Sequence, residues 1–254
     1  MNVAQRSPKA GKRVYFSVDV EPDCPPYLWT DRGLTEGMPR LLDLLDQIDV
    51  PTTFFITGQV ALDHPAMVRD VLERGHEIGS HGFSHKSFAE MGEAEAREEI
   101  RTSIDVLSEH APISLFRAPY LRFPERFTDI LIDYGVTLDS SQAKYKKRDG
   151  QPQKADGLER LPVSMTSSVL RLPTWLRDPW LSTLRDPVVL FVHPWEFVDF
   201  RNSDLRWDCR AGTGQHALDS VASLAGLFRR RGFSFHKISD YTADAKSGVA
   251  PANS

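Results

Sequence analysis

Short apolar runs alternate with helix-like stretches along most of the chain. Runs rich in aliphatic, β-branched and aromatic residues predict strands at 14–20, 52–56, 77–80, 115–117, 136–139, 161–165, 188–192 and 234–238. Apolar residues that recur every three or four positions predict helices around 41–48, 68–72, 96–107, 127–133 and 218–228. Such alternation is typical of a parallel sheet, so we expect an α/β protein built as one barrel-like domain.

The predicted barrel domain covers residues 13–241, because no linker-like stretch divides it. A flexible segment, 1–12, is expected before it, and a small polar tail, 242–254, is expected to be disordered. The strand–helix rhythm breaks over the long segment 140–187. We expect this segment to cover the functional site and to set its specificity.

Composition narrows the function classes. The chain has 254 residues, 41% of them hydrophobic, and a net charge of −4, which exclude overall disorder and give no sign of nucleic-acid binding. Two cysteines, Cys24 and Cys209, are too few for a disulfide framework. No signal peptide or membrane-length apolar stretch is visible, so we predict a cytoplasmic protein without an integral membrane span. The oligomeric state is left open.

Polar residues follow five of the predicted strands. In α/β barrels the catalytic groups lie at the carboxyl ends of the strands, so these side chains are expected to meet at one face. They are Asp19 and Glu21 at the end of the first strand, His81 and His85 after the third, Arg117 at the end of the fourth, Asp139 at the end of the fifth, and His193 at the end of the run 188–192.

The two histidines and two carboxylates suggest a metal site. His81 and His85 are four residues apart and can share one ion on a helical turn. Asp19 and Glu21 lie on the same face of their strand, where two buried carboxylates need a cation to balance them. The alternative is that Glu21 and Asp23 lie in an exposed turn.

Four further residues complete a candidate acid–base site. Arg117 can pair with Asp19, and the backbone N–H of Tyr120 can point at a substrate oxygen. His193 at the barrel mouth is a candidate general acid, and Asp139 is available to fix its tautomer.

Taken in order, these motifs resemble the polysaccharide deacetylase family, the NodB-homology carbohydrate esterases. The resemblance rests on Val18-Asp-Val-Glu21, His81-Gly-Phe-Ser-His85, Phe116-Arg-Ala-Pro-Tyr120, Leu138-Asp-Ser-Ser141 and Phe191-Val-His193. It implies a distorted (β/α) barrel of about seven parallel strands, one catalytic divalent metal, and removal of an acyl group from an amino sugar. Zinc is expected first, with iron, cobalt, nickel and manganese as alternatives.

The resemblance also implies a role for each matched residue. Asp19 would be the catalytic base, oriented by Arg117, and His193 would be the general acid, tuned by Asp139. The remaining roles are metal ligation by Glu21, His81 and His85, and an oxyanion site at the Tyr120 N–H.

Two departures from the family pattern leave details open. Most members have adjacent aspartates in the first motif, so Glu21 is assigned as the third ligand by similarity to D-x-E relatives, with Asp23 as the alternative. Ser140 stands where a tryptophan is frequent. The apolar wall for an acyl methyl group, and with it substrate contact, is therefore expected from Trp175, Trp180 or Trp195.

The substrate is expected to be an N-acylated amino sugar in a polysaccharide, a glycan or a lipid-linked sugar. The stretch 35–42 resembles a cytoplasmic branch that deformylates a lipid-linked aminosugar, which would involve peripheral membrane contact. His193-Pro-Trp-Glu196 resembles a branch associated with exopolysaccharide loci. Two other readings remain: a metal-independent amidohydrolase of the allantoinase type, and a non-catalytic sugar-binding barrel.

Overall fold

All strands in the part of the chain that the structure describes belong to one parallel sheet. The computed structural model describes residues 11–25, 27–28, 30–146 and 157–246. Within them the strands are β1 (Lys12–Val20), β2 (Thr53–Ile56), β3 (Glu77–Ser80), β4 (Leu115–Phe116), β5 (Leu138–Asp139), β6 (Glu159–Arg160), β7 (Val188–Val192) and β8 (Phe233–His236). Seven of them follow the order β6-β5-β4-β3-β2-β1-β7.

The eighth strand lies beside the first half of β1. Lys12 to Tyr15 pair with β8, whereas Ser17 to Val20 pair with β2, and β7 pairs along residues 14–18. The gap between β6 and β7 is bridged by Ser164, whose N–H donates to the Val189 carbonyl at 2.8 Å. The Val189 N–H donates back to Ser164 Oγ at 3.0 Å. The sheet therefore curls into the predicted distorted barrel.

Side chains alternate between the inside and the outside of this barrel. Tyr15 belongs to an inner apolar cluster with Phe55, Leu115, Val189 and others, whereas its neighbours on β1 pack outward against the helices. Because successive strand residues point to opposite faces, Ser17, Asp19 and Glu21 follow Tyr15 on the inner side. The two carboxylates therefore share a face, as their spacing predicts.

Helices surround the sheet. They are α1 (Met38–Gln47), α2 (Gly58–Asp63), α3 (Pro65–Glu73), α4 (Glu93–Ser108), α5 (Thr128–Asp133), α6 (Ser167–Leu170), α7 (Thr174–Thr183), α8 (Trp207–Arg210), α9 (Gln215–Arg230) and α10 (Ile238–Lys246). None of the helices in the described ranges is long and apolar enough to cross a membrane.

Some predicted boundaries differ from the structure. The sixth strand is Glu159–Arg160 and not 161–165, because the chain leaves β5 there to reach β7. The helix α10 continues through 242–246, which the sequence assigned to a disordered tail. The rest of that tail and residues 1–10 lie outside the described residues, whereas Lys12 already belongs to β1.

Candidate active site

Arg117 and Asp19 form a buried ion pair at the centre of the barrel mouth. The Arg117 Nη1 atom lies 2.6 Å from Asp19 Oδ1 and also donates to Ser17 Oγ at 2.8 Å. Its Nη2 donates to Ser140 Oγ at 2.9 Å, and the guanidinium lies over the Phe55 ring at 4.2 Å. The arginine is completely buried, so its orientation and that of Asp19 are set together.

Glu21, His81 and His85 converge beside this pair. One potential ligand atom from each lies within 4.8 Å of the other two, and all three residues are buried. His85 Nε2 is in contact with Glu21 Oε2, and His81 Nε2 lies 3.7 Å from the same oxygen.

The chemistry of these three groups fits a divalent metal. His81 Nδ1 donates to the Arg117 carbonyl at 2.7 Å, which leaves Nε2 of the neutral ring with a free lone pair. His85 Nε2 meets the Glu21 carboxylate, and its buried Nδ1 has no hydrogen-bond partner among the described residues. Burial alone would raise the pKa of Glu21, but His85 and His193 hold it well below the usual value. Two imidazoles and one carboxylate form a ligand set typical of catalytic zinc.

The loop that carries the histidines is held by a buried glutamate of α4. Glu99 Oε2 accepts the backbone N–H groups of Phe83 and Ser84 at 3.0 and 2.9 Å. His85 itself adopts a positive φ of 59°, and the ring of Tyr120, with φ of 61°, packs edge-on against it at 4.9 Å. Strained backbone at two facing residues is typical of functional sites.

His193 faces the metal-ligand cluster from β7. Its Nε2 lies 3.7 Å from Glu21 Oε1, while its Nδ1 donates to Glu196 Oε1 at 2.7 Å. The other oxygen of Glu196 lies 2.9 Å from Arg171 Nε. Although burial opposes the charged form, Glu21 and Glu196 raise the pKa of His193 to about 9.

The prediction that Asp139 fixes the tautomer of His193 is not met. Asp139 Oδ1 accepts the Ser141 N–H at 2.9 Å, and Oδ2 lies 3.1 Å from Arg160 Nη1. Its carboxylate is therefore engaged by Ser141 and Arg160, and Glu196 is the residue that binds His193 Nδ1. The sequence contains an indication of the contact between Glu196 and His193. A glutamate three residues after His193, and two after Pro194, has the spacing of a capping box.

Asp23 is not placed as the alternative metal ligand. Its carboxylate accepts the N–H groups of Arg32 and Gly33 at 2.9 and 2.7 Å and the Thr30 hydroxyl at 2.6 Å. It thus organises the turn that leads into α1, while Glu21 joins the histidines.

Asp19, the metal-ligand cluster and His193 all line one cavity of about 310 Å³. Its lining includes Asp19, Glu21, His81, His85, Tyr120, Tyr145, Lys146, His193 and Trp195. Trp195 stacks on His193 at 5.2 Å, and its Nε1 donates to Glu21 Oε1 at 3.5 Å. Trp175 and Trp180 do not line this cavity and are 76% and 51% exposed, so only Trp195 of the three lies at the site.

Sequence and structure comparisons agree with this architecture. The chain matches the polysaccharide deacetylase family over residues 7–138, just over half of its length. A peptidoglycan-N-acetylglucosamine deacetylase from Bacillus cereus is 36% identical over 88 residues, which are 34% of this chain and 32% of that protein. The matched region thus spans about a third of that curated relative.

Two solved structures show the same fold. A Mycobacterium smegmatis protein assigned to the polysaccharide deacetylases superposes with a TM-score of 0.68 at 23% identity, covering 100% of this chain and 98% of that one. A family 4 carbohydrate esterase from Streptomyces lividans, in complex with acetate, gives 0.63 at 19% identity, covering 92% and 96%.

The chain belongs to the polysaccharide deacetylase family. Its fold is the NodB-type barrel of family 4 carbohydrate esterases. Several curated relatives that it matches are named deacetylases, which are hydrolases of carbon–nitrogen bonds. The resemblance inferred from the motifs is confirmed.

Proposed function

We propose that this protein removes an N-acyl group from an amino sugar of a glycan, using one divalent metal ion. The observation that carries the proposal is the convergence of three elements in one cavity: the Glu21–His81–His85 cluster, the Arg117–Asp19 pair and His193. Binding alone requires no oriented base and acid on either side of a metal site.

Glu21, His81 and His85 would hold the ion, with zinc the first candidate. When bound, such an ion acidifies a water molecule and polarises an acyl carbonyl. His81 is aligned for this task by the Arg117 carbonyl, and His85 by the Glu99-anchored loop.

Asp19 acts as the general base. Its carboxylate is fixed by Arg117 and takes a proton from the water as it attacks the acyl carbon. The backbone N–H of Tyr120, placed at the cavity by the left-handed turn after β4, is the candidate donor to the developing oxyanion.

His193 acts as the general acid. Without a proton, the amine would have to leave as an anion, which is a poor leaving group. The nitrogen must therefore be protonated as the carbon–nitrogen bond breaks. The raised pKa of His193 favours the protonated ring, and Glu196 directs Nδ1 so that Nε2 faces the cavity.

The substrate class is an N-acetyl or N-formyl amino sugar. A second cavity of about 540 Å³ shares His85 and Tyr120 with the first and is lined mainly by polar and charged residues, which suits a neighbouring sugar residue. A lipid-linked sugar and a cytoplasmic location stay predictions.

The proposal is tested by measuring the release of a free amine and of acetate or formate. The substrates are N-acetylglucosamine oligomers and N-formylated aminosugars. We expect the purified protein to release a free amine, to lose this activity with a chelator, and to regain it with added zinc, cobalt, nickel or manganese. His85→Ala should retain the fold, measured by circular dichroism, but lose bound metal and activity.

The alternatives give different results. Unchanged hydrolysis by metal-free protein would favour the metal-independent amidohydrolase. Sugar binding in calorimetry without hydrolysis of any acylated sugar would favour the non-catalytic barrel.

A further inference from the structure

The two cysteines of the chain meet at the edge of the catalytic cavity. Cys24 lies in the turn after β1, is buried, and has a φ of 45°. Cys209 lies on α8 and is partly exposed. Both line the same cavity as Glu21 and His193, and Cys209 packs against the apolar cluster that contains Cys24.

Their surroundings give the two thiols different reactivity. The neighbouring Cys24 thiol, with Arg206 and Arg171, lowers the pKa of Cys209 to about 7, although burial and Asp208 oppose this shift. The proximity of Cys209, together with burial, raises the pKa of Cys24. Since the thiolate is the nucleophile, the partly exposed Cys209 is the thiol that reacts first.

We propose that Cys209 and Cys24 form an oxidisable dithiol site for low-molecular-weight disulfides at the rim of the active site. The Cys209 thiolate attacks one sulfur of the small disulfide, forms a mixed disulfide and releases one small thiolate. Cys24 then loses its proton, attacks the Cys209 sulfur and releases the second small thiolate. The two protein thiols are oxidised to one disulfide, and one small disulfide is reduced to two thiols.

A direct chain of contacts links this site to His193. Arg171 donates to the carbonyls of Asp208, Cys209 and Ala211 at 2.9, 3.2 and 2.7 Å. The Nε of the same guanidinium pairs with Glu196, which binds His193 Nδ1.

Oxidation is therefore expected to disturb the general acid. A covalent S–S bond is shorter than a contact between two thiols, so we expect closure to pull α8 and the turn after β1 towards each other. A shift of α8 changes the carbonyls that hold Arg171, and through it Glu196. This effect on turnover rests on the proposed function, whereas formation of the disulfide does not.

The test uses the full chain, purified with reductant and then incubated with oxidised glutathione. We expect the two free thiols to disappear, the intact mass to fall by two hydrogen atoms, and peptide mapping to join the peptides that contain Cys24 and Cys209. Turnover should fall in parallel and return with dithiothreitol.

Two matched variants test the order of attack. Cys24→Ser should retain glutathione on Cys209, because the resolving thiol is missing. Cys209→Ser should leave Cys24 unmodified over the same time, because that thiol is buried and protonated.

Three results would overturn the proposal. Equal reaction rates of the two variants would contradict the order of attack, and glutathione adducts as the end product of the wild type would contradict the internal disulfide. Full turnover by completely oxidised protein would remove the link to His193. Thiol counts and masses need no substrate, so failure here is distinguishable from failure of the proposed deacetylation.

Discussion

A single guanidinium organises the polar centre of the barrel. Arg117 contacts Asp19, Ser17 and Ser140 through its two terminal nitrogens, and its carbonyl orients His81. The residues that Arg117 contacts come from three different places in the sequence: strand β1, His81 and Ser140. The geometry of the base and of one metal ligand therefore depends on the same residue.

Replacing this arginine tests that dependence. In Arg117→Lys, one ammonium cannot reproduce contacts made by two nitrogens of a planar group. Misplacement of Asp19 by up to about 1 Å should lower kcat roughly 100-fold with nearly constant KM and unchanged metal content. Steady-state kinetics and metal analysis measure this.

A matched control is Arg126→Lys, because Arg126 also lies over a phenylalanine ring, at 4.4 Å, but is exposed and outside the cavity. It should leave the kinetics unchanged. Wild-type kcat in Arg117→Lys would show that Asp19 does not depend on the arginine, and a change in KM alone would place the arginine on the substrate.

The pH dependence tests the role of Glu196. Its negative charge raises the pKa of His193, so Glu196→Gln should lower that pKa. A general acid works only while protonated, and the alkaline limb of the rate profile should therefore move to lower pH. The profile of kcat against pH for metal-loaded protein measures the shift.

Asp139→Asn is the comparison for this variant. Because Asp139 pairs with Arg160 and Ser141, its replacement should leave the position of the alkaline limb unchanged. A shift in Asp139→Asn and none in Glu196→Gln would restore the assignment made from the sequence.

At the scale of elements, the two carboxylates that follow β1, Glu21 and Asp23, have different roles. Glu21 continues the inward alternation of the strand and reaches the histidines. Asp23, two residues later, lies in the following turn and accepts the free N–H groups of Arg32 and Gly33. Orphan N–H groups at the start of a helical segment are stabilised by such a side chain.

These different roles predict that Asp23→Ala loses stability, whereas Glu21→Gln loses bound metal. Asp23→Ala should lower the free energy of unfolding by about 1–3 kcal/mol, because buried N–H groups lose their acceptor, while bound metal is unchanged. Glu21→Gln should lose metal with a smaller change in stability. Denaturant unfolding and metal analysis distinguish them, and a folded Asp23→Ala protein without metal would make Asp23 the ligand.

At the scale of the whole molecule, closure of the barrel rests on few backbone contacts. The chain after β6 reaches β7 through Ser164, which exchanges two hydrogen bonds with Val189. The same stretch leads on to Thr166 and Ser167, which line the catalytic cavity. Closure of the barrel and the shape of the cavity wall are thus coupled.

Removing the serine hydroxyl should weaken this closure. Ser164→Ala leaves the buried Val189 N–H without its acceptor, which should cost about 1–3 kcal/mol of unfolding free energy. For a chain of this size the Tm should fall by roughly 2–4 °C per kcal/mol, measured calorimetrically. Ser168→Ala, which removes a partly exposed hydroxyl, is the control and should stay within about 0.5 kcal/mol.

The local pattern of the sequence determined the parallel barrel, the inward face of Asp19 and Glu21, and the strand ends that deliver His81, His85, Arg117 and His193. These features follow from the alternation of side chains along a strand and from the direction of the chain, both of which are set locally by the backbone.

Only the tertiary structure decided how these residues are partnered. Asp139 pairs with Arg160 and not His193, Asp23 supports a turn, and Trp195 rather than Trp175 reaches the cavity. The position of Glu196 three residues after His193 is typical of a capping residue, but no pattern in the sequence indicates its ion pair with Arg171. Such contacts join segments far apart in sequence, so they depend on loop paths and side-chain packing that no periodicity encodes.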